Sequence, residues 1–100
     1  MEGKVYTVLR LASRGRLAAA RGNLAEGLEL AQVAVEVAER GGWLNYTAIA
    51  WLALAEVQRT DGRAAEADAA VAKALRIYEG KGNVAAAARV RTGLPERRLG

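Results

Sequence analysis

None of the 100 residues is cysteine, histidine or phenylalanine, and Pro95 is the single proline. Without cysteine there is no disulfide, no thiol nucleophile and no thiolate zinc site. Without histidine the commonest proton shuttle is missing too. No pair of groups is placed for proton transfer, so an enzyme is not expected, nor a cofactor or a small-molecule ligand. Long hydrophobic runs are also missing. The longest, Ala48 to Ala55, has eight residues, against the roughly 20 that cross a bilayer. The N-terminus lacks the apolar stretch of an export signal. A cytoplasmic protein without membrane contact is expected. The proline lies so late that nothing from 1 to 94 is barred from helix on its account.

What is present is alanine. It supplies 23 of the residues in a chain that is 52% hydrophobic and holds five aromatics, Trp43, Trp51, Tyr6, Tyr46 and Tyr78. That hydrophobic content excludes simple disorder. Small side chains fill space only when helices come close, and alanine is the best helix former. The net charge of +4 is unevenly spread. Residues 1–21 and 81–100 are each basic, and residues 22–80 are acidic. A nucleic-acid binder concentrates its basic residues in one stripe with aromatic or polar readers. Here the basic segments hold only Tyr6, so nucleic acid is a remote alternative and a solvated surface is the better reading.

Periodicity and stop signals predict five helices, at about 4–21, 24–40, 44–60, 63–79 and 83–92. Gly22, Gly41-Gly42, Asp61-Gly62 and Gly80-Lys81-Gly82 end the first four, and Gly93 with Pro95 ends the last. Asn23 and Glu26 have the spacing of a capping box. Glu36 and Arg40 form an i, i+4 pair in the favourable order. Leu24, Leu28, Ala31, Val35 and Ala38 make one apolar stripe; Leu30, Val33, Ala34 and Val37 make a second. Gly15 in mid-helix marks a close packing contact. The 44–60 helix is apolar all round over residues 48–55 and belongs in the middle of the assembly. Connections of two to five residues make antiparallel neighbours.

Several motifs carry no chemistry. Gly80-x-Gly82-x-x-Ala85 resembles a dinucleotide fingerprint but follows a helix where a strand is required. Gly22 to Gly27 has phosphate-loop spacing without the Lys-Ser/Thr ending. Asn45-Tyr46-Thr47 is a glycosylation sequon that matters only after secretion. Glu26, Glu29 and Glu36 read as surface charge.

Two segments match at a separation of 40: Gly22-Asn23-Leu24-Ala25-Glu26-Gly27 and Gly62-Arg63-Ala64-Ala65-Glu66-Ala67. Repeats of such a period mark stacked helical units. Trp51-x-x-Leu54-Ala55-x-x-Gln58, then Gly62, then Ala67-x-x-x-Val71-x-x-Ala74, resembles the tetratricopeptide repeat. Gln58 stands where that pattern has tyrosine, Glu79 where it ends in proline. The first hairpin matches through Leu11, Gly15, Ala18, Gly22, Gly27, Ala31 and Ala34, with Arg14 at a leucine position. The stretch from Ala74 to Arg89 is similar to the C-terminal tetratricopeptide regions of bacterial ATPase-type transcription regulators and class III nucleotide cyclases.

The resemblance implies an all-α fold of antiparallel hairpins stacked as a short right-handed solenoid over residues 1–94, hairpins at about 4–41 and 43–80, a terminal helix at 83–92 and a tail at 95–100. It implies a protein-interaction module, a regulatory or scaffolding piece of a larger bacterial signalling protein. Its concave face would be lined by Leu9, Ala12, Arg16, Ile49, Leu52, Glu56 and Arg59, with Arg89 added by the last helix. Arg16 and Arg59 would grip a partner's carboxylates. The alternative is a homo-oligomer pairing through the ends of the stack, where Leu9, Leu11 and Leu17 could seek a second chain.

Overall fold

The computed structural model describes residues 2–92, with side chains from Val5 to Thr92. They form five helices and, among the described residues, no strand: α1 (Glu2–Ala20), α2 (Leu24–Gly41), α3 (Leu44–Thr60), α4 (Ala64–Gly80) and α5 (Val84–Arg91). The all-helical expectation holds. Bounds shift by one or two residues from the sequence reading, as helix ends do, and α3 coincides with it. Gly93, Pro95 and the expected tail at 95–100 lie outside the described residues.

The turns repeat more finely than the sequence reading anticipated. Gly22, Gly42, Gly62 and Gly82 recur every 20 residues, each with positive φ, at 92°, 72°, 79° and 73°. Each glycine donates its N–H three residues back, to Ala19, Glu39, Arg59 and Glu79, at 3.0 to 3.1 Å. The next residue donates five back, Asn23 to Ala18, Trp43 to Ala38, Arg63 to Gln58 and Asn83 to Tyr78. This paired pattern closes a helix C-terminus, and its left-handed position suits glycine. The expected capping box is not formed, because the Asn23 side chain makes no cap bond. The backbone bonds of the turn set the start of α2 without it, and the exposed N–H groups there are left to solvent. Asn83 does cap: its Oδ1 accepts from Ala86 N–H at 3.2 Å. The expected Glu36–Arg40 pair is also absent from the ion pairs of the described residues.

Contacts follow chain order. α1 packs on α2 and α3, α2 on α3, α3 on α4 and α4 on α5, while α1 and α4 do not touch. No ring is closed. The hairpins are antiparallel, since Gly15 lies against Ala31 and Gly27 against Ala19. A Cβ on Gly27 would sit 2.8 Å from the Gly15 carbonyl oxygen, and one on Gly15 would sit 3.0 Å from the Gly27 oxygen. Backbone meets backbone at this crossing, as the mid-helix Gly15 suggested. Forty residues on, buried Ala55 and Ala67 occupy the same positions in the second hairpin, in one cluster with Ala70.

The core is built of alanines, and its largest fully buried side chains are only Val8 and Val57. Trp51 supplies the bulk. It packs against all three apolar clusters, one between the first hairpin and α3, one between α3, α4 and α5, and one inside the second hairpin. The Lys73 ammonium lies 4.4 Å from the centroid of its ring, a cation–π contact.

The crossing predicts opposite outcomes for two glycine substitutions. Gly27→Ala overpacks against backbone that cannot yield, at about 1–3 kcal/mol, offset by a helix-propensity gain of about 1 kcal/mol. A net loss near 1 kcal/mol lowers the melting temperature by about 4–8 °C in a chain this size. Gly80→Ala meets no heavy atom within 4 Å, and its melting temperature should stay level or rise.

Candidate functional site

The 40-residue register brings like positions of α1 and α3 side by side. Arg16 Nε donates to Glu56 Oε1 at 3.0 Å, and the two residues are 40 apart. Both side chains are well exposed, at 39% and 49%. Leu9 on α1 and Ile49 on α3 are another like pair, both half-buried, and Arg89 on α5 holds the same register position. Leu52 is half-buried as well. Leu9, Ile49 and Leu52 therefore make a partly open apolar strip on α1 and α3 with the Arg16–Glu56 rung at one end, while the exposed Arg89 is one register unit further on, on a helix that packs on α4 and not on α3.

Two expected site residues do not belong to it. Ala12 is 1% exposed and sits in the cluster of Val8, Ala34, Ala50 and Ala53. It is covered because α3 packs over it, and no ligand could reach it. Arg59 turns toward α4, where Nη2 donates to Asp68 Oδ1 at 3.0 Å. Its like position on α1, Ala19, lies against Gly27 of α2 in the same way, so helix geometry sends residue 59 into the hairpin and away from the strip. Arg16 and Arg59 are thus both engaged by carboxylates of this chain. Exposed pairs of this kind are worth about 0.2–1 kcal/mol, so an incoming carboxylate can replace them at small cost. The sequence signal for the first pair was opposite charges at a separation of 40.

Arg89 enters no ion pair among the described residues, but its charge acts on Tyr78. Tyr78 is buried, 7% exposed. Burial raises the Tyr78 phenol above its ordinary value, and Arg89 partly opposes this. Arg91 pairs with Glu79. Arg63 holds the α3–α4 turn through Asp61 and Glu66, whose hydrogen bonds and charges raise its guanidinium pKa further. Gln58 has a buried Oε1 with no hydrogen-bond partner, a cost of about 1–3 kcal/mol.

A shallow pocket opens where α1 turns into α2, lined by Arg14, Leu17, Ala18, Arg21, Asn23, Glu26 and Leu30. Among the described residues, no three His, Cys, Asp or Glu side chains gather as they would around a metal ion. No helix of the described residues is long and apolar enough to cross a membrane. No protein family, curated protein or solved structure matches the chain.

Tyr78 makes stability depend on alkaline pH. Its folded-state pKa is raised, so its contribution is complete below the unfolded value near 10.0 and is lost as pH rises through the higher folded value. Thermal melts should show an alkaline decline beginning near pH 10.0 and continuing through the higher folded-state value. Tyr78→Phe should shallow the decline, and Arg89→Ala should deepen it. An unchanged alkaline limb in Tyr78→Phe would refute the assignment.

Proposed function

We propose that the chain is a protein-binding helical-repeat module of the tetratricopeptide kind. In this reading the hairpins form a short right-handed solenoid, and the strip on α1 and α3 takes a segment of another protein. The stacking order, the small-residue crossing in each hairpin and the seating of Trp51 support it. The observation that carries it is the ladder of like positions. Leu9 and Ile49 keep apolar surface partly open beside an ion pair that water already reaches.

A bound segment would lay apolar side chains over Leu9, Ile49 and Leu52. A carboxylate of the segment would displace Glu56 from Arg16 or meet the unpaired Arg89. Ala12 and Arg59 play no direct part. Such a module belongs to a regulatory or scaffolding role in a larger cytoplasmic signalling protein of bacterial type, and the reading assigns it no catalysis.

A photo-cross-linking residue at position 49 tests the strip, with one at position 69, exposed on α4, as the comparison. In an extract of the source cell, position 49 should give a discrete adduct that position 69 does not. Adding Leu52→Asp should weaken that adduct about tenfold or more, as the loss of a central contact does, with the helical circular dichroism unchanged. Identical adducts from both positions would sink the proposal.

A further inference from the structure

The outer flank of the first hairpin differs in kind from its internal copy. On α3, Ala50 and Leu54 pack against the first hairpin, at 0% and 4% exposure, and Val57, one turn on from Leu54, is buried as well, at 1%. The like positions on α1 are Arg10, Arg14 and Leu17, all exposed. With Arg21 just past the helix end they form one ridge at i, i+4, i+7 and i+11. None of the three arginines is in an ion pair among the described residues. A further hairpin of the internal kind would set apolar groups against these guanidiniums, because the cluster that receives Ala50 and Leu54 is Val8, Ala12, Ala31, Ala34, Val35 and Ala38. Burying unpaired charge there is prohibitive.

The ridge needs a partner that brings carboxylates at helical spacing. The neighbouring helix of the same chain carries them. Glu26, Glu29 and Glu36 of α2 are exposed and also in no ion pair among the described residues. The same flank holds apolar groups: Leu17 of the ridge, 49% exposed, Val33, 36% exposed, and half-buried Leu30, which lines the shallow pocket with Leu17. We propose that this flank is a dimer interface, in which the α1–α2 hairpins of two copies face one another across a two-fold axis parallel to the helices. The axis lays α1 of one copy over α2 of the other.

The levels agree with this. Gly15 is level with Ala31 and Ala19 with Gly27. Counting outward puts Arg10 level with Glu36, Leu17 with Glu29 and Arg21 beside Glu26. Arg10 and Arg21 thus meet carboxylates of the other copy at their own level, and Arg14, level with Gln32, stands between the levels of Glu29 and Glu36, with Leu17, Leu30 and Val33 supplying apolar surface beside them. The self-complementary arrangement is what a two-fold interface requires. An 18-residue helix is about 27 Å long, so a two-helix face covers on the order of 500 Å² per copy, at the lower edge of specific interfaces. The dimer is therefore concentration-dependent and sensitive to salt. Leu9 and Leu11 are not part of it, since Leu9 lies on the far side of α1 and Leu11 packs against the core.

Sedimentation velocity on the full chain, from about 5 to 500 µM in low and high salt, decides it. The wild type should dimerise with concentration at low salt, and high salt should weaken the dimer about tenfold. Arg10→Glu with Arg14→Glu should be monomeric where the wild type dimerises, as should Glu29→Arg with Glu36→Arg. An equimolar mixture of the two should form a heterodimer. Leu17→Ser, a single change at an exposed position, should also weaken the dimer and serves if a charge-reversed variant fails to fold. A wild type that stays monomeric overturns the proposal. So does a dimer that charge reversal and Leu17→Ser leave untouched, or a folded pair of charge variants that do not associate.

Discussion

The contact on which everything else rests is the meeting of α1 and α2 at Gly15 and Gly27, where each backbone carbonyl lies where the other residue's side chain would begin. A core of alanines and two fully buried valines has little apolar area per residue. Dispersion between such side chains is appreciable only when their backbones are near. The close crossing supplies that nearness in the first hairpin, and Ala55 with Ala67 supplies it in the second with one methyl each. Only then is the space left between the hairpins small enough for one tryptophan to fill, and Trp51 is in contact with every cluster.

The second constraint is metrical. Four glycine turns of one pattern at 20-residue intervals give α1 to α4 nearly equal lengths. Equal helices keep like positions of alternate helices level with one another. The Arg16–Glu56 bond is the direct record of that levelling, for it joins two residues 40 apart. The candidate strip exists for the same reason, since Leu9, Ile49 and Arg89 can act together only if their helices stay in register. Loss of a turn glycine would thus act on the strip as well as on the fold, through the strain of a left-handed position.

The helices, the close packing at Gly15 and the role of Trp51 were legible because each has a local cause: periodicity, a breaker, a lone large side chain among small ones. The site was less legible because exposure is set by neighbours. Ala12 and Leu52 hold the same place in the register, yet α3 packs over the first, while α5, the next helix in that register, does not pack on α3 and leaves the second half-open. Arg16 and Arg59 read alike as exposed cations, but one reaches α3 and the other α4. Asn23 and Asn83 follow the same turn, and only one caps. Arg14 at a leucine position looked like a departure from the repeat. In three dimensions it is a consequence of it, because the leucine is required only where another hairpin lies against the helix.

The two proposed surfaces use α1 twice without conflict. At 3.6 residues per turn, Leu9 and Arg16 point to the α3 side of the helix, and Arg10, Arg14 and Leu17 point roughly the opposite way. A segment bound on the strip leaves the arginine ridge clear, and a second copy on the ridge leaves the strip clear. A dimer would then carry two strips, and a partner with two matching segments would gain from their joint presentation without any new contact. The first hairpin joins the two surfaces physically. Its glycine crossing fixes how far the ridge of α1 stands from the carboxylates of α2, so the interaction that holds the fold also sets the spacing of the charges that a second copy would read.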